Sequence, residues 1–442
     1  MEAVFTERTD SFIDFIKKSP TAFHATDAAV NILKEHGALF INEGFSGILE
    51  RGRIYYMTRN GSSLIAFRIP EGSPGAFMIT ASHTDSPAFR LKPNFEKDVF
   101  GKYTVLNTEK YGGMIISSWF DRPLSVAGRI ACRENGAIVL KNVMIDRDLL
   151  VIPNVCIHFN RAVNDGYKYN PAIDCLPLYS EKGALSLLDQ IADTAGVDKS
   201  SIIGHDLFLY NRTSPSVWGA HGEFFSAPRI DNLQCAFSTL TGFLQAEPTE
   251  TVSIYAAFDN EETGSATKQG ADSDFLPDTI DLICRSLSDD PGIKRRMLAS
   301  SLMLSADNAH ARHPLHPELS DGMNSPDMNG GIVIKTNADQ RYTTDALSAA
   351  LFIEICSEAG VPVQLFANRS DIAGGSTLGR ILNTQVSLNT VDIGLAQLAM
   401  HSCYETAGVK DTEYMVRACE RFYNSRIIRS AETGEKYYVK TR

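Results

Sequence analysis

A chain of 442 residues, 43% hydrophobic and 21% charged, is longer than one hydrophobic core usually supports, so two domains are expected. No apolar run approaches the roughly 20 residues that span a bilayer, and the opening MEAVFTERTDSFIDFIKK is acidic and amphipathic, unlike a secretory signal. The net charge of −11 argues against nucleic acid as a partner, because phosphate contacts need clustered Lys and Arg.

In chain order, Phe12, Ile13, Phe15 and Ile16, then Ala28, Ala29, Ile32 and Leu33, follow helical spacing. RIYYMTRNGSSLIAFRI places two alternating apolar runs around Asn60-Gly61, a hairpin pattern. AFMITAS (76–82) reads as a strand buried on both faces, and it ends in His83-Thr84-Asp85-Ser86-Pro87. From about Leu91 strand-like runs dominate, with a second hairpin at Glu134-Asn135-Gly136, one helix over about 183–196 and a strand at DLFLY (206–210). After Ser226 the βα alternation returns. A helical segment begins at Asp231, and buried strands TVSIYAAF (251–258) and SLMLSA (301–306) end at Asp259-Asn260-Glu261-Glu262 and at Asp307. A helix over about 344–359, the runs VPVQLFA and VSLNTVDI, and a last helix over about 411–424 complete the pattern. The division implied is an α/β domain from residues 1–91 and 226–442, with a β-rich domain, 92–225, inserted.

The eight cysteines, Cys132, Cys156, Cys175, Cys235, Cys284, Cys356, Cys403 and Cys419, form no C-x-x-C pair. Scattered mostly through apolar runs, they are expected to be reduced and packed, as in a cytoplasmic protein.

In open α/β sheets, ligands collect beyond the carboxyl ends of the strands. Three buried strands here end in metal-competent residues, and each has a plain alternative. His83 and Asp85 are either ligand and orienting partner or parts of a turn. Asp231 is either a bridging carboxylate or a helix N-cap. Glu261 and Glu262 are either a metal ligand beside a proton acceptor or a solvated acidic loop. Asp307 is ligand or cap, and His401 is ligand or core histidine. His310, His313 and His316 are interleaved with prolines and read as loop residues, with substrate contact as a weaker option. Taken together, two histidines and several carboxylates suit two Zn²⁺-like ions with one carboxylate shared. No G-x-S-x-G or Walker A pattern is present to support serine-hydrolase or nucleotide chemistry.

The segments ASHTDSP, SAPRIDNL, FDNEETGS, SADNAH, KTNADQRYT, VPVQLFANRSDIAGGSTLGR and VDIGLAQLAMHS, with IPNVCIHFNRAVNDGYKYN in the inserted region, resemble the M18 metallo-aminopeptidases, the aspartyl aminopeptidase group. The resemblance runs in family order over nearly the whole chain. It implies a mixed-sheet α/β/α zinc-peptidase domain of the phosphorylase/hydrolase-like type with an inserted β-rich dimerisation domain. It further implies one ion held by His83 and Asp307, another by Glu262 and His401, and Asp231 bridging. Glu261 would be the general base and Asp85 the partner of His83. His158 would reach the active site of a neighbouring subunit in a homododecamer built from dimers. Lys335, Tyr342 and Met400 would contact substrate, with Lys335 reading an acidic side chain. A cis peptide is expected at Asp85-Ser86. The chain departs from the family at Cys403-Tyr404-Glu405, where relatives follow Met-His-Ser with a small or apolar residue and Arg-Glu, and at Gly379-Arg380, where many have Gly-Pro.

The expected activity is therefore removal of the N-terminal residue, Asp or Glu by preference, from peptides with a free N-terminus. Two divalent ions, zinc with cobalt or manganese as alternatives, would serve the reaction, with no nucleic-acid or membrane partner. A neutral-residue aminopeptidase is the nearest alternative. A non-catalytic binding or assembly protein and a metal-dependent deacylase or carboxypeptidase, which would use Arg341, Arg369 or Arg380 for a substrate carboxylate, lie further off.

Overall fold

The computed structural model describes residues 2–430 and 436–441. Strands Ala76–His83, Thr251–Phe258, Leu302–Ala306 and Asn389–Leu398 run parallel at the centre of a 13-stranded mixed sheet. Every residue of the first three is buried, which explains their unbroken apolar character. Alternate side chains point to opposite faces. Met78, Tyr255, Leu302 and Leu304 join one core with helices Glu2–Lys18, Ala22–Glu35, Ile230–Gln245, Ala346–Glu358 and Asp411–Tyr423. Phe77, Ile79, Ala81 and Ile254 join the other with Phe275–Leu287, Ile293–Leu298 and Leu378–Gln385. The result is a three-layer α/β/α sandwich, as the βα alternation implied.

The Asn60-Gly61 hairpin forms, joining Ile54–Arg59 to Ser63–Arg68 at the sheet's antiparallel flank. Asn60 and Gly61 have positive φ, 58° and 64°, and with Ser62 they make a three-residue loop between the paired Arg59 and Ser63. Asn135-Gly136 makes a second hairpin between Leu124–Glu134 and Ala137–Met144.

That second hairpin belongs to a six-stranded antiparallel sheet with its own core of Phe89, Leu106, Trp119, Val126, Ile130 and Leu207, closed by helix Leu187–Ala195. This sheet begins at Ala88, and by Ser216 the chain has rejoined the large sheet. Helix Phe275–Leu287 had no sequence reading. Pro277 occupies the first turn, where its missing N–H is not needed. No helix among the described residues is long and apolar enough to cross a membrane. All eight cysteines are free; seven are buried and Cys156 is exposed.

Candidate metal centre

The parallel strands bring their carboxyl ends to one edge of the large sheet. His83 closes the first strand, and Thr251–Phe258 is followed by Asp259, Asn260 and the single turn Glu261–Thr263. Asp307 follows Leu302–Ala306, and His401 lies in the turn after Asn389–Leu398. Asp231 enters from the start of helix Ile230–Gln245. Arg229, Asn260 and His401 hold φ of 59°, 62° and 66°, a conformation uncommon outside glycine that clusters at functional sites.

His83 is 1% exposed. Its Nε2 stands 3.5 Å from Asp231 Oδ1 and 3.6 Å from Asp307 Oδ1, and its Nδ1 is 3.3 Å from Asp85 Oδ1. His401 Nε2 lies 3.4 Å from Asp231 Oδ2 and 3.3 Å from Glu262 Oε2. Asp231 thus turns one oxygen to each imidazole. It does not cap its helix: its side chain makes no capping hydrogen bond, and its own φ/ψ is non-helical. Asp85 is tied down on several sides, accepting from Tyr111 Oη at 2.6 Å and from the amides of Glu261 and Glu262 at 3.2 Å each. The chain passes Asp85-Ser86 without the expected cis bond, and Ser86 Oγ donates to the Asp231 carbonyl at 2.7 Å. The cis peptide among the described residues is instead Asp231-Asn232, so that expectation is corrected.

Electrostatics explain why this donor set calls for cations. Burial, with Asp307, Asp85 and Asp231 nearby, pushes the Glu261 carboxyl up to about 8 against the opposing pull of His83. Burial and the Asp231 charge drive Glu262 well above the carboxylate range. Burial opposes ionisation of Asp231 too, but the imidazoles of His401 and His83 outweigh it and hold that carboxyl below its usual range. Asp231 Oδ1 and Glu262 Oε1 are buried and accept no hydrogen bond, a costly condition for carboxylate oxygens. The ligand atoms of His83, Asp231 and Asp307, and those of Asp231, Glu262 and His401, each fall within 4.8 Å of one another. Mixed nitrogen and oxygen donors with one central carboxylate fit zinc-type ions.

Beside this cluster, Lys335 on strand Ile332–Thr336 is 3% exposed. Its Nζ donates to the Asn308 carbonyl at 2.9 Å and sits 5.5 Å from the Tyr342 ring centre. Burial works against the Lys335 charge, yet Asp307 and Tyr342 raise its pKa above the ordinary lysine value. Met400 lies in the turn immediately before His401. His310 packs against Phe366, whereas the rings of His313, half-buried, and His316, exposed, meet at a tilt with centres 5.2 Å apart. His158 is exposed in the inserted region, and no ion pair or hydrogen bond ties it to the cluster of its own chain.

A family model, Aminopeptidase I zinc metalloprotease (M18), matches residues 15–423. This chain belongs to the M18 aminopeptidase family. It is 44% identical to the probable M18 family aminopeptidase 2 of Clostridium acetobutylicum over 428 residues, which cover 95% of this chain and 99% of that one. Its fold is similar to that of Ape4 in a complex with Nbr1, at a TM-score of 0.92 and 36% identity, covering 96% and 86% of the two chains. It also matches a chain of the S. cerevisiae mApe1 dodecamer at a TM-score of 0.82 and 27% identity, covering 94% and 95%. As an M18 member the chain is a metal-dependent hydrolase acting on peptide bonds, an aminopeptidase.

Three residues of this M18 centre had no role in the sequence reading. Glu405 is 2% exposed and accepts from the amides of Asp231 at 3.0 Å and His401 at 2.8 Å, joining the two imidazole-bearing halves. Tyr111 arrives from the six-stranded sheet to hold Asp85. Gly112 follows it, and a Cβ there would stand 3.0 Å from that of Glu262, so only glycine lets the second sheet approach so closely. For Glu405 the one sequence signal was its position just after Met-His-Ser. Tyr111 and Gly112 carried none, because their proximity exists only once the two sheets meet.

Proposed function

We propose that this chain is a binuclear aminopeptidase that removes N-terminal Asp or Glu. The observation that carries the specificity is Lys335, a buried ammonium beside the metal cluster with no carboxylate within ion-pair distance among the described residues. An acidic substrate side chain supplies the missing partner. His83 and Asp307 would hold one ion and Glu262 and His401 the other, with Asp231, which turns one oxygen to each imidazole, serving both. Such ions acidify water and polarise a carbonyl.

Glu261, whose carboxylate lies within 4.8 Å of the His83 and Glu262 donor atoms, takes the proton from water and passes it to the leaving amine. Asp85 fixes the His83 tautomer through Nδ1. Surrounding carboxylates attract the free α-ammonium of the substrate, which restricts cleavage to the N-terminus.

The six-stranded region, taken as an inserted domain over about 92–225, serves self-association. Its edge strand Ala137–Met144 leaves Ile138 and Leu140 exposed at 69% and 57%, and such an edge is usually covered. The mApe1 dodecamer is the model for the assembly. In it His158 of one subunit would steady the developing oxyanion in another. The free thiols suit a cytoplasmic setting.

The test is metal content per chain together with cleavage of Asp- and Leu-p-nitroanilides before and after chelation. Two ions with chelator-sensitive, Asp-preferring cleavage is the expected result. Leu preference would overturn the role of Lys335, and a single ion with full activity would overturn the binuclear reading.

A further inference from the structure

A cavity of about 390 Å³ lies between the six-stranded sheet, the residues leading into helix Ala22–Glu35, and the back of the metal cluster. It is not the catalytic cleft. His83, Glu261, Glu262, Asp307, His401 and Lys335 are absent from its walls, and of the proposed ligands only Asp231 reaches it. It meets instead the supporting carboxylates Asp85 and Glu405; Asp206 and Asp259 face it too, against Arg90, Arg129, Arg229 and Lys268, and Phe23, Trp119, Phe208 and Tyr210 line its apolar part. Its volume lies in the range of small-molecule sites, which pair apolar walls with a few polar anchors.

Arg229 is the anchor. Its Nη2 donates to the Ile16 carbonyl at 3.2 Å, its Nε is buried without an acceptor, and its Nη1 has no hydrogen-bond partner among the described residues. Among the described residues no carboxylate comes within ion-pair distance of it, and Glu405, on the same cavity, acts on it only from further away. The other arginines of the cavity differ: Arg90 and Arg129 share Asp206 at 2.7 and 2.9 Å. Burial pushes the Arg229 guanidinium down to about 10, which still leaves it charged at neutral pH. A charged fork with one carbonyl partner is expensive to keep inside a protein, and a carboxylate is its best-matched acceptor. Trp119 Nε1, on the same cavity, is a second buried donor without a partner.

We propose that this cavity binds a small organic carboxylate, its anionic end on Arg229 and its apolar body among the aromatic walls. The occupant would touch Asp85 and Glu405, the residues that orient His83 and His401, so binding would be felt at the metal centre without occupying it. The inference does not depend on the preference for acidic substrates.

Trp119 and Trp218 are the two tryptophans, so Trp218→Phe leaves Trp119 as the sole reporter. Benzoate, phenylalanine and inorganic phosphate are titrated into the metal-loaded enzyme while Trp119 fluorescence is followed. Expected is a saturable change with benzoate or phenylalanine, weakened at least about ten-fold by Arg229→Met and, independently, by Ala88→Leu, which narrows the cavity from another lining position. Tighter binding of phenylalanine would identify an α-amino acid as the occupant, and tighter binding of benzoate a carboxylate without an amine. The proposal is overturned by no saturable change with either compound, by equal or tighter binding of phosphate, or by affinities that Ala88→Leu leaves unaltered. The last outcome would assign the binding to the metal ions.

Discussion

Glu261 and Glu262 are adjacent in sequence, yet their oxygens have different work. Glu262 Oε2 faces the His401 ring, whereas Glu261 makes no ion pair among the described residues and stands within reach of both His83 and Glu262. Glu261→Gln is therefore expected to keep the bound metal and lower kcat by about 10²–10⁴-fold, measured by metal analysis and turnover on the same preparation. Near-full activity would remove Glu261 from the role of base. Lys335→Ala should raise KM for Asp substrates by about ten-fold or more while leaving Leu substrates nearly unchanged, because it deletes a charge-assisted contact that only an acidic side chain makes. Equal losses on both substrates would mean that Lys335 merely supports the Asn308 loop. The proposed ligands were legible because each ends a buried apolar strand or borders a helix, where a polar side chain stands out. Arg229 was not: within SAPRIDNL it is one more polar residue in a loop, and its isolation follows from which carboxylates other arginines have already taken.

Helix Ile230–Gln245, which delivers Asp231, rests on helix Asp411–Tyr423 across Gly242. A Cβ at that position would come 2.6 Å from the Cys419 Cβ, 2.9 Å from the Glu420 amide nitrogen and 3.0 Å from the Val416 carbonyl oxygen. Two of these are backbone atoms, so Gly242→Ala should force the helices apart at a cost of about 1–3 kcal/mol. A lowered Tm would report it, and an unchanged Tm would show that the helix pair gives way easily. At this scale the sequence was readable wherever a single period ran uninterrupted: both Asn-Gly hairpins and the strands 76–82, 251–258 and 301–306 lie within a residue or two of their expected bounds. It was silent over helix Phe275–Leu287, where Pro277 sits in the first turn and interrupts the local pattern. It was also unreadable where one residue served two ends, as Asp231 does by entering its helix without adopting helical geometry.

For the molecule as a whole, pH sensitivity has a traceable source away from the metals. His24 is pushed down to about 4, by burial first and by the Arg229 guanidinium second. The unfolded chain takes up this proton near pH 6.5 and the folded chain only near 4, so stability falls as pH drops through that interval. The loss is on the order of 3 kcal/mol. His24→Gln should flatten the acid limb of a stability–pH profile relative to the parent protein, and parallel profiles would refute the assignment. Metal removal belongs to the same scale. The carboxylates that crowd Asp231 repel one another without cations, so chelation should lower Tm and added zinc should restore it in a concentration-dependent way.

The ligands of the proposed centre are strung along the chain from His83 to His401, and Glu405, which accepts from both Asp231 and His401, comes later still. A ribosome releases the first ligand hundreds of residues before the last. A nascent chain therefore holds a histidine and several acids but no complete pair of ion sites until residue 401 has been added. Hydrolytic competence would then wait on that residue, and a truncated product ending before it would be proteolytically silent by construction.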